Sequence, residues 1–312
     1  MNKTMSSLAM ELLVQFSSGD FAFSGELQAF WMAVQGAMMV RLGPNKDRSL
    51  NWFHAFSLSV IGGFGGGWLG FIWMGRPSSM LSNDLNMASC IVAFILVNYT
   101  PMDIGFKCCN NIMGKIATVV FAQLFRSLGV AKFVMVCFET FKDSPSAYYP
   151  IPVFGPILYA TLLGNMGGFV LKGFNGHFAN GMPWPVQNGL FCATFYHFYV
   201  NDQTGPIGIF LRKSLRMAHF LGFKDNQTFA LVVVTMFMQV MGILQMPTFL
   251  GPSFTPFGSA ILSPFRDSST WKTGEKDTAY STAQAEKKKR RRGKGTVKTT
   301  SARIHNSKDK QS

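Results

Sequence analysis

Seven long apolar runs decide what this chain can become. They cover roughly 21–40, 52–74, 85–100, 116–138, 153–174, 186–200 and 229–249 of its 312 residues. A helix needs about 20 mostly apolar residues to cross the hydrocarbon core of a bilayer. Inside lipid every backbone N–H and C=O must be satisfied within the segment, which leaves helices or a closed barrel. A spanning barrel needs strict alternation of apolar and polar residues, and stretches such as 229–241 lack it. The sequence therefore predicts an all-α membrane protein with seven transmembrane helices. The third and sixth runs are short and read in isolation as buried core helices.

Charge confirms the division. Residues 1–264 carry 15 Lys+Arg against 10 Asp+Glu, while residues 265–312 carry 14 against 5. An apolar body thus precedes a short basic tail, and the whole chain is only 14% charged, against about 25% in soluble domains. That excludes a wholly soluble enzyme and an ordinary nucleic-acid-binding domain. The five cysteines, Cys90, Cys108, Cys109, Cys137 and Cys192, are an odd number in or beside apolar runs and read as packing residues.

Local punctuation fits these boundaries. Leu42-Gly43-Pro44 ends the first run and Gly75-Arg76-Pro77 the second, while Ser82-Asn83-Asp84 offers caps for the third and Pro101 closes it. Residues 1–20 read as an amphipathic lead-in, not a signal peptide, because Glu11 interrupts the short run Leu8–Phe16. The tail holds Lys287-Lys288-Lys289-Arg290-Arg291-Arg292. It is expected to be disordered, cytosolic and in contact with anionic lipid. Seven spans then put the N-terminus in the lumen. The short loops do not decide orientation, and the basic amphipathic stretch 206–223 pulls the 201–228 loop toward the cytosolic side. Lysines at the third and fifth positions from the end, Lys310 and Lys308, resemble a retrieval signal of the endoplasmic reticulum.

Two glycine clusters sit at corresponding places. The second run contains Gly62, Gly63, Gly65, Gly66, Gly67 and Gly70; the fifth contains Gly164, Gly167, Gly168 and Gly173. Each glycine costs a helix about 1 kcal/mol relative to alanine, so a close-packing role or a break is implied. The second run is the middle of runs one to three and the fifth the middle of runs four to six. Repeats with an odd number of spans are inverted, and glycine-interrupted helices at matching positions of inverted halves mark a permeation or binding site. Repeat one is expected over 21–100, repeat two over 116–200, and a seventh helix over 229–249. Gly65-x-Gly67-x-x-Gly70 matches a dinucleotide fingerprint in form only, with neither a strand before it nor an acidic partner after it.

Intramembrane charge is the second indicator. Arg126 lies midway along the fourth run, Lys132 six residues on, and Lys172 near the end of the fifth. A basic residue at the bilayer centre costs about 2.5–3.5 kcal/mol on insertion scales, so each is a candidate for pore lining or gating. At about 100° per residue, Arg126 and Lys132 point about 120° apart. No metalloprotease, nucleophile-elbow, phosphate-loop or paired-cysteine motif appears, the histidines are scattered, and buried acids are nearly absent. No enzyme and no metal site are expected, and a proton relay is disfavoured.

Ordered along the chain, these residues resemble the trimeric intracellular cation channel family. The likeness rests on Gly75-Arg76-Pro77, Pro101-Met102-Asp103 with Lys107, Lys115 opening the fourth run, Arg126 within it, and Lys172-Gly173 ending the fifth, and it covers about residues 20–250. The resemblance implies a homotrimer of the endoplasmic or sarcoplasmic reticulum. Each protomer would have its own pore for potassium and provide counter-ion flux during calcium release or uptake. It also implies phosphatidylinositol bisphosphate held near Arg126, Lys115 and Gly66, with Arg126, Lys132 and Lys172 together with Gly65, Gly66, Gly67, Gly167 and Gly168 in the pore or its gate. Pro101, Asp103 and Lys107 are the structural motif. The chain departs from the family at Ala122-Gln123, where the family carries a Lys followed by Glu. The alternative is a secondary transporter with the same inverted-repeat layout.

Overall fold

The computed structural model describes residues 2–78, 80, 82–144, 147–178, 182–215, 223, 225–246 and 248–249. All belong to the first of two compact units, 1–254; the second, 255–312, lies outside the described residues, and the expectation of a disordered basic tail falls there. Among the described residues the secondary structure is helical throughout.

The helices follow the apolar runs. They are α1 (Asn2–Ser18), α2 (Ser24–Leu42), α3 (Trp52–Trp73), α4 (Asp84–Tyr99), α5 (Ile104–Asn110), α6 (Ile112–Phe141), α7 (Phe154–Leu163), α8 (Met166–Phe178), α9 (Trp184–Tyr196), α10 (Pro206–Ser214) and α11 (Asn226–Leu244). A one-turn 3-10 helix, Pro101–Asp103, links α4 to α5, and a π-helix, His197–Asn201, extends α9. Caps explain several starts. The side chains of Asn51, Asn83, Asn111 and Asp225 accept bonds from the backbone N–H groups of His54, Leu85, Ile112 and Thr228, satisfying donors that have no partner inside the helix.

Three helices, α3, α6 and α11, are each long and apolar enough to cross a membrane. A fourth crossing meets the same test only when α4 and the segment Pro101–Asn110 are taken together, and that pair is bent by 93°. By length and composition the described chain is a multi-pass membrane protein with three to four such spans, fewer than the seven apolar runs suggest. The shortfall has visible causes. The fifth run divides into α7 and α8 at Gly164-Asn165, and the sixth ends in a π-helix.

Two apolar cores share α6. One joins α2, α3 and α4 to the first half of α6 through Met32, Val34, Phe64, Ala93 and Ala122. The other joins the second half of α6 to α7, α9 and α11 through Val134, Ala160, Tyr196 and Val234. Helix α3 connects them, since it packs on α2 and also on α7 and α8.

The expectation of a glycine-broken second helix is corrected here: α3 runs unbroken from Trp52 to Trp73. Its glycines face neighbouring backbones. A Cβ on Gly66 would collide with the carbonyl of Leu163, and one on Gly167 with the carbonyl of Gly62. Toward α2 a Cβ on Gly63 would lie 2.9 Å from the carbonyl oxygen of Met32. Small residues let α3 lie backbone to backbone against α2 and α8, and that packing offsets the propensity cost. The fifth run does break. Asn165 Nδ2 donates to the carbonyls of Thr161 (2.8 Å), at the end of α7, and Pro185 (3.3 Å), in the first turn of α9.

Candidate functional site

Where α7 breaks, the helices part around a cavity of about 410 Å3. Helix α2 brings Gln35 to it, α5 brings Cys109 and Asn110, and α6 brings Lys115, Gln123 and Arg126. The break itself supplies Gly164 and Asn165, α9 adds Asn188, and the end of α11 adds Gly242, Gln245 and Met246.

The lining has a definite chemistry. Six carboxamides, from Gln35, Asn110, Gln123, Asn165, Asn188 and Gln245, surround two cations, Arg126 and Lys115, with no carboxylate among the lining residues. Arg126 Nη2 donates to Gln35 Oε1 at 3.2 Å, and its buried Nε has no hydrogen-bond partner among the described residues. The described ion pairs involve Arg41, Arg48 and Lys142, not Arg126. A guanidinium held this way carries uncompensated positive charge in a region of low dielectric. Lys115 lies eleven residues before it on the same helix, which places the two cations on one face but about 16 Å apart along the axis.

Beside the cavity α6 is pinned to α11 by polar bonds. Thr235 Oγ1 donates to Ser127 Oγ at 2.9 Å, both residues being fully buried, and Gln239 Nε2 donates to the carbonyl of Val120 at 2.8 Å. Gly242 allows the close approach, since a Cβ there would lie 2.8 Å from Gln123 Cγ.

Only part of the expected site gathers here. Arg126 and Lys115 line the cavity, and Gly167 and Gly168 follow its helix break at the start of α8. Lys132 is exposed and sits over the ring of Phe71 at 5.6 Å, outside the lining. Gly65, Gly66 and Gly67 lie within α3, also outside the lining, and Gly66 abuts the backbone of Leu163. Lys172 falls within α8, but its side chain is outside the described residues; Gly173, next to it, adopts φ +70° and kinks the helix. Pro101 and Asp103 belong to the elbow between α4 and α5, and Lys107 lies within α5.

Sequence reasoning passed over Gln35, Asn165 and Asn188, although each is a polar residue within an apolar run and so stands out by the same criterion that selected Arg126. Among the described residues no group of three or more His, Cys, Asp or Glu is placed to hold a metal ion.

These features define a class: an α-helical membrane protein whose helices part around a polar, cation-bearing cavity at a broken span. Its architecture is that of the trimeric intracellular cation (TRIC) channels. A C. elegans channel of this kind solved without Ca2+ matches with a TM-score of 0.52 at 16% identity, over 76% of this chain and 97% of the other. The C. elegans channel with bound Ca2+ matches with 0.51 at 13%, over 76% and 97%. A TRIC counter-ion channel studied for its activity in calcium release matches with 0.54 at 18%, over 76% and 98%. No protein-family model and no curated protein sequence matches the chain. At these identities the likeness is one of fold.

Proposed function

We propose that the chain is a channel for monovalent cations, chiefly potassium, in the endoplasmic or sarcoplasmic reticulum. Its seven apolar runs act as seven spans, in two inverted three-helix repeats plus a last helix. The N-terminus is luminal and the tail cytosolic, and the assembly is a homotrimer. It supplies counter-ion flux when calcium is released or taken up. One observation carries this reading: within a TRIC-like fold, Arg126 and the break at Gly164-Asn165 face the same cavity. A broken span supports such a pathway because irregular backbone at membrane depth persists only where protein buries it or water reaches it.

Two cations and no carboxylate are an unfavourable lining for a cation path. An anionic lipid headgroup resolves the conflict, and phosphatidylinositol bisphosphate is the one the sequence resemblance implies. The residues fit one phosphate group at the Arg126 guanidinium, whose Nε lacks a partner. They do not offer a second cation within a turn, since buried Ala122 occupies that place and Lys115 is about 16 Å away along α6. Gly66, packed against Leu163, does not contribute to the cavity.

Reconstitution of the purified chain in planar bilayers under a potassium gradient tests the proposal. Discrete current steps altered by Arg126→Ala support a channel. Smooth, saturable flux without steps instead identifies the secondary transporter that shares this architecture.

A further inference from the structure

Of the four non-glycine residues with left-handed backbone among the described residues, three meet at one corner: Arg48 (φ 51°), Met102 (φ 55°) and Asp103 (φ 56°). Met102 and Asp103 are consecutive and form the elbow at which α5 turns away from α4. Such backbone is costly for residues with a side chain and persists when surrounding contacts hold it. Here the contacts are ionic. The Asp103 carboxylate pairs with Arg48 and, at 3.6 Å, with Arg41 of α2. Arg41 also lies over the ring of Phe106 in α5 at 5.2 Å.

The elbow bears on the cavity through α5. This short helix packs on α2 and α6, which carry Gln35 and Arg126, and its last residues, Cys109 and Asn110, form part of the cavity wall. Its two ends fit closely. Gly105 N–H donates to Thr100 Oγ1 at 2.9 Å, and a Cβ on Gly114 would collide with the carbonyl of Cys108. Nothing covalent fastens α5 to α2; at the elbow Arg41 of α2 bridges to Asp103 and Phe106, and Arg48, in the loop after α2, adds a second ion pair to Asp103. Arg48 is half exposed, with 54% of its side chain accessible, so solvent and ions reach this bridge. Exposed ion pairs are weak, comparable with the strain they oppose, and a device so balanced responds to small changes.

We propose that Asp103 is a positioning residue for the cavity wall, a latch whose ion pairs with Arg41 and Arg48 hold α5 in place and whose release opens the cavity beside Cys109. The proposal stands apart from ion conduction and is tested without it. The native thiols serve as reporters, since Cys108 is exposed while Cys109, Cys90, Cys137 and Cys192 are buried. The full chain carrying Cys108→Ser is treated in detergent with a polar maleimide, and the labelled positions are read by mass spectrometry. Cys109 stays protected in that background. Adding Asp103→Asn, which removes both ion pairs, raises its labelling rate about tenfold, and Arg48→Ala, which removes only the more exposed pair, raises it about threefold, while Cys90, Cys137 and Cys192 stay protected. Salt at about 1 M, where the screening length falls to about 3 Å, moves the unaltered latch in the same direction. Met102→Gly relieves the strain but spares the ion pairs and leaves Cys109 protected. Unchanged Cys109 labelling in both charge variants overturns the proposal. So does labelling of all four cysteines together, which marks general unfolding, or opening by Met102→Gly alone.

Discussion

Arg126 shows how a single side chain can be costly to the fold and still be kept. Its charge has Gln35 as its hydrogen-bond partner and no described ion pair. Burying a charge without a counter-charge is unfavourable, whereas a flexible apolar side chain of similar length fills the space without that cost. Arg126→Met is therefore expected to raise the melting temperature of the detergent-solubilised chain by a few degrees and to abolish its response to anionic lipid. A fall in melting temperature would place a counter-charge where none is described. The glycines make the opposite case. Gly66→Ala puts a methyl group into the Leu163 carbonyl and should cost about 1–3 kcal/mol through overpacking. Gly65→Ala meets Ile61 Cγ2 at 3.2 Å and Gly167 N at 3.5 Å, softer neighbours, and gains helix propensity. Thermal unfolding of the pair should separate them, with Gly66→Ala the less stable.

Helices were legible in the sequence to the extent that their causes are local. Apolar length announced α3, α6 and α11, and Asn83 announced the start of α4. The break in the fifth run is legible too: glycine accounts for its second interruption, the left-handed kink at Gly173, whereas the first, at Gly164-Asn165, has another contributor. Gly164 has ordinary helical backbone (φ −62°, ψ −12°), and a Cβ there would meet only carbonyl oxygens at 3.6 Å or more. The interruption follows from Asn165, whose amide takes the Thr161 carbonyl and also reaches Pro185, twenty residues away. No local pattern contains that second partner. The unbroken α3 has the same explanation reversed. Its glycines serve contacts with Met32, Leu163 and Gly167, and a glycine run alone does not say whether the chain bends or a neighbour approaches. Asn165→Leu should accordingly leave the Thr161 carbonyl in apolar surroundings without its donor and lose the tie to Pro185, at about 1–3 kcal/mol. Gly164→Ala should be nearly neutral. Equal losses in the two variants would return the break to glycine.

Across the whole chain, charge sets the problem that a conducting pathway must solve. The residues before 265 are net positive, the tail more so, and the described cavity adds Arg126 and Lys115 without a carboxylate. A bare cavity of this kind repels potassium, because Coulomb interactions at low dielectric are several times stronger than in water. In the proposed channel, an anionic headgroup at Arg126 would reverse the local sign and supply the cation selectivity. This sets an order of dependence: headgroup first, cation second. In bilayers of neutral lipid alone, the delipidated chain should show a reversal potential shifted toward zero under a potassium chloride gradient. Adding a phosphoinositide to the membrane should restore cation selectivity, and Arg126→Met should block that rescue while Lys132→Met, altered at an exposed position over Phe71, leaves it intact. Undiminished cation selectivity in neutral lipid would mean that the carboxamides of Gln35, Asn165 and Asn188 present their oxygens to the ion and overcome the guanidinium unaided.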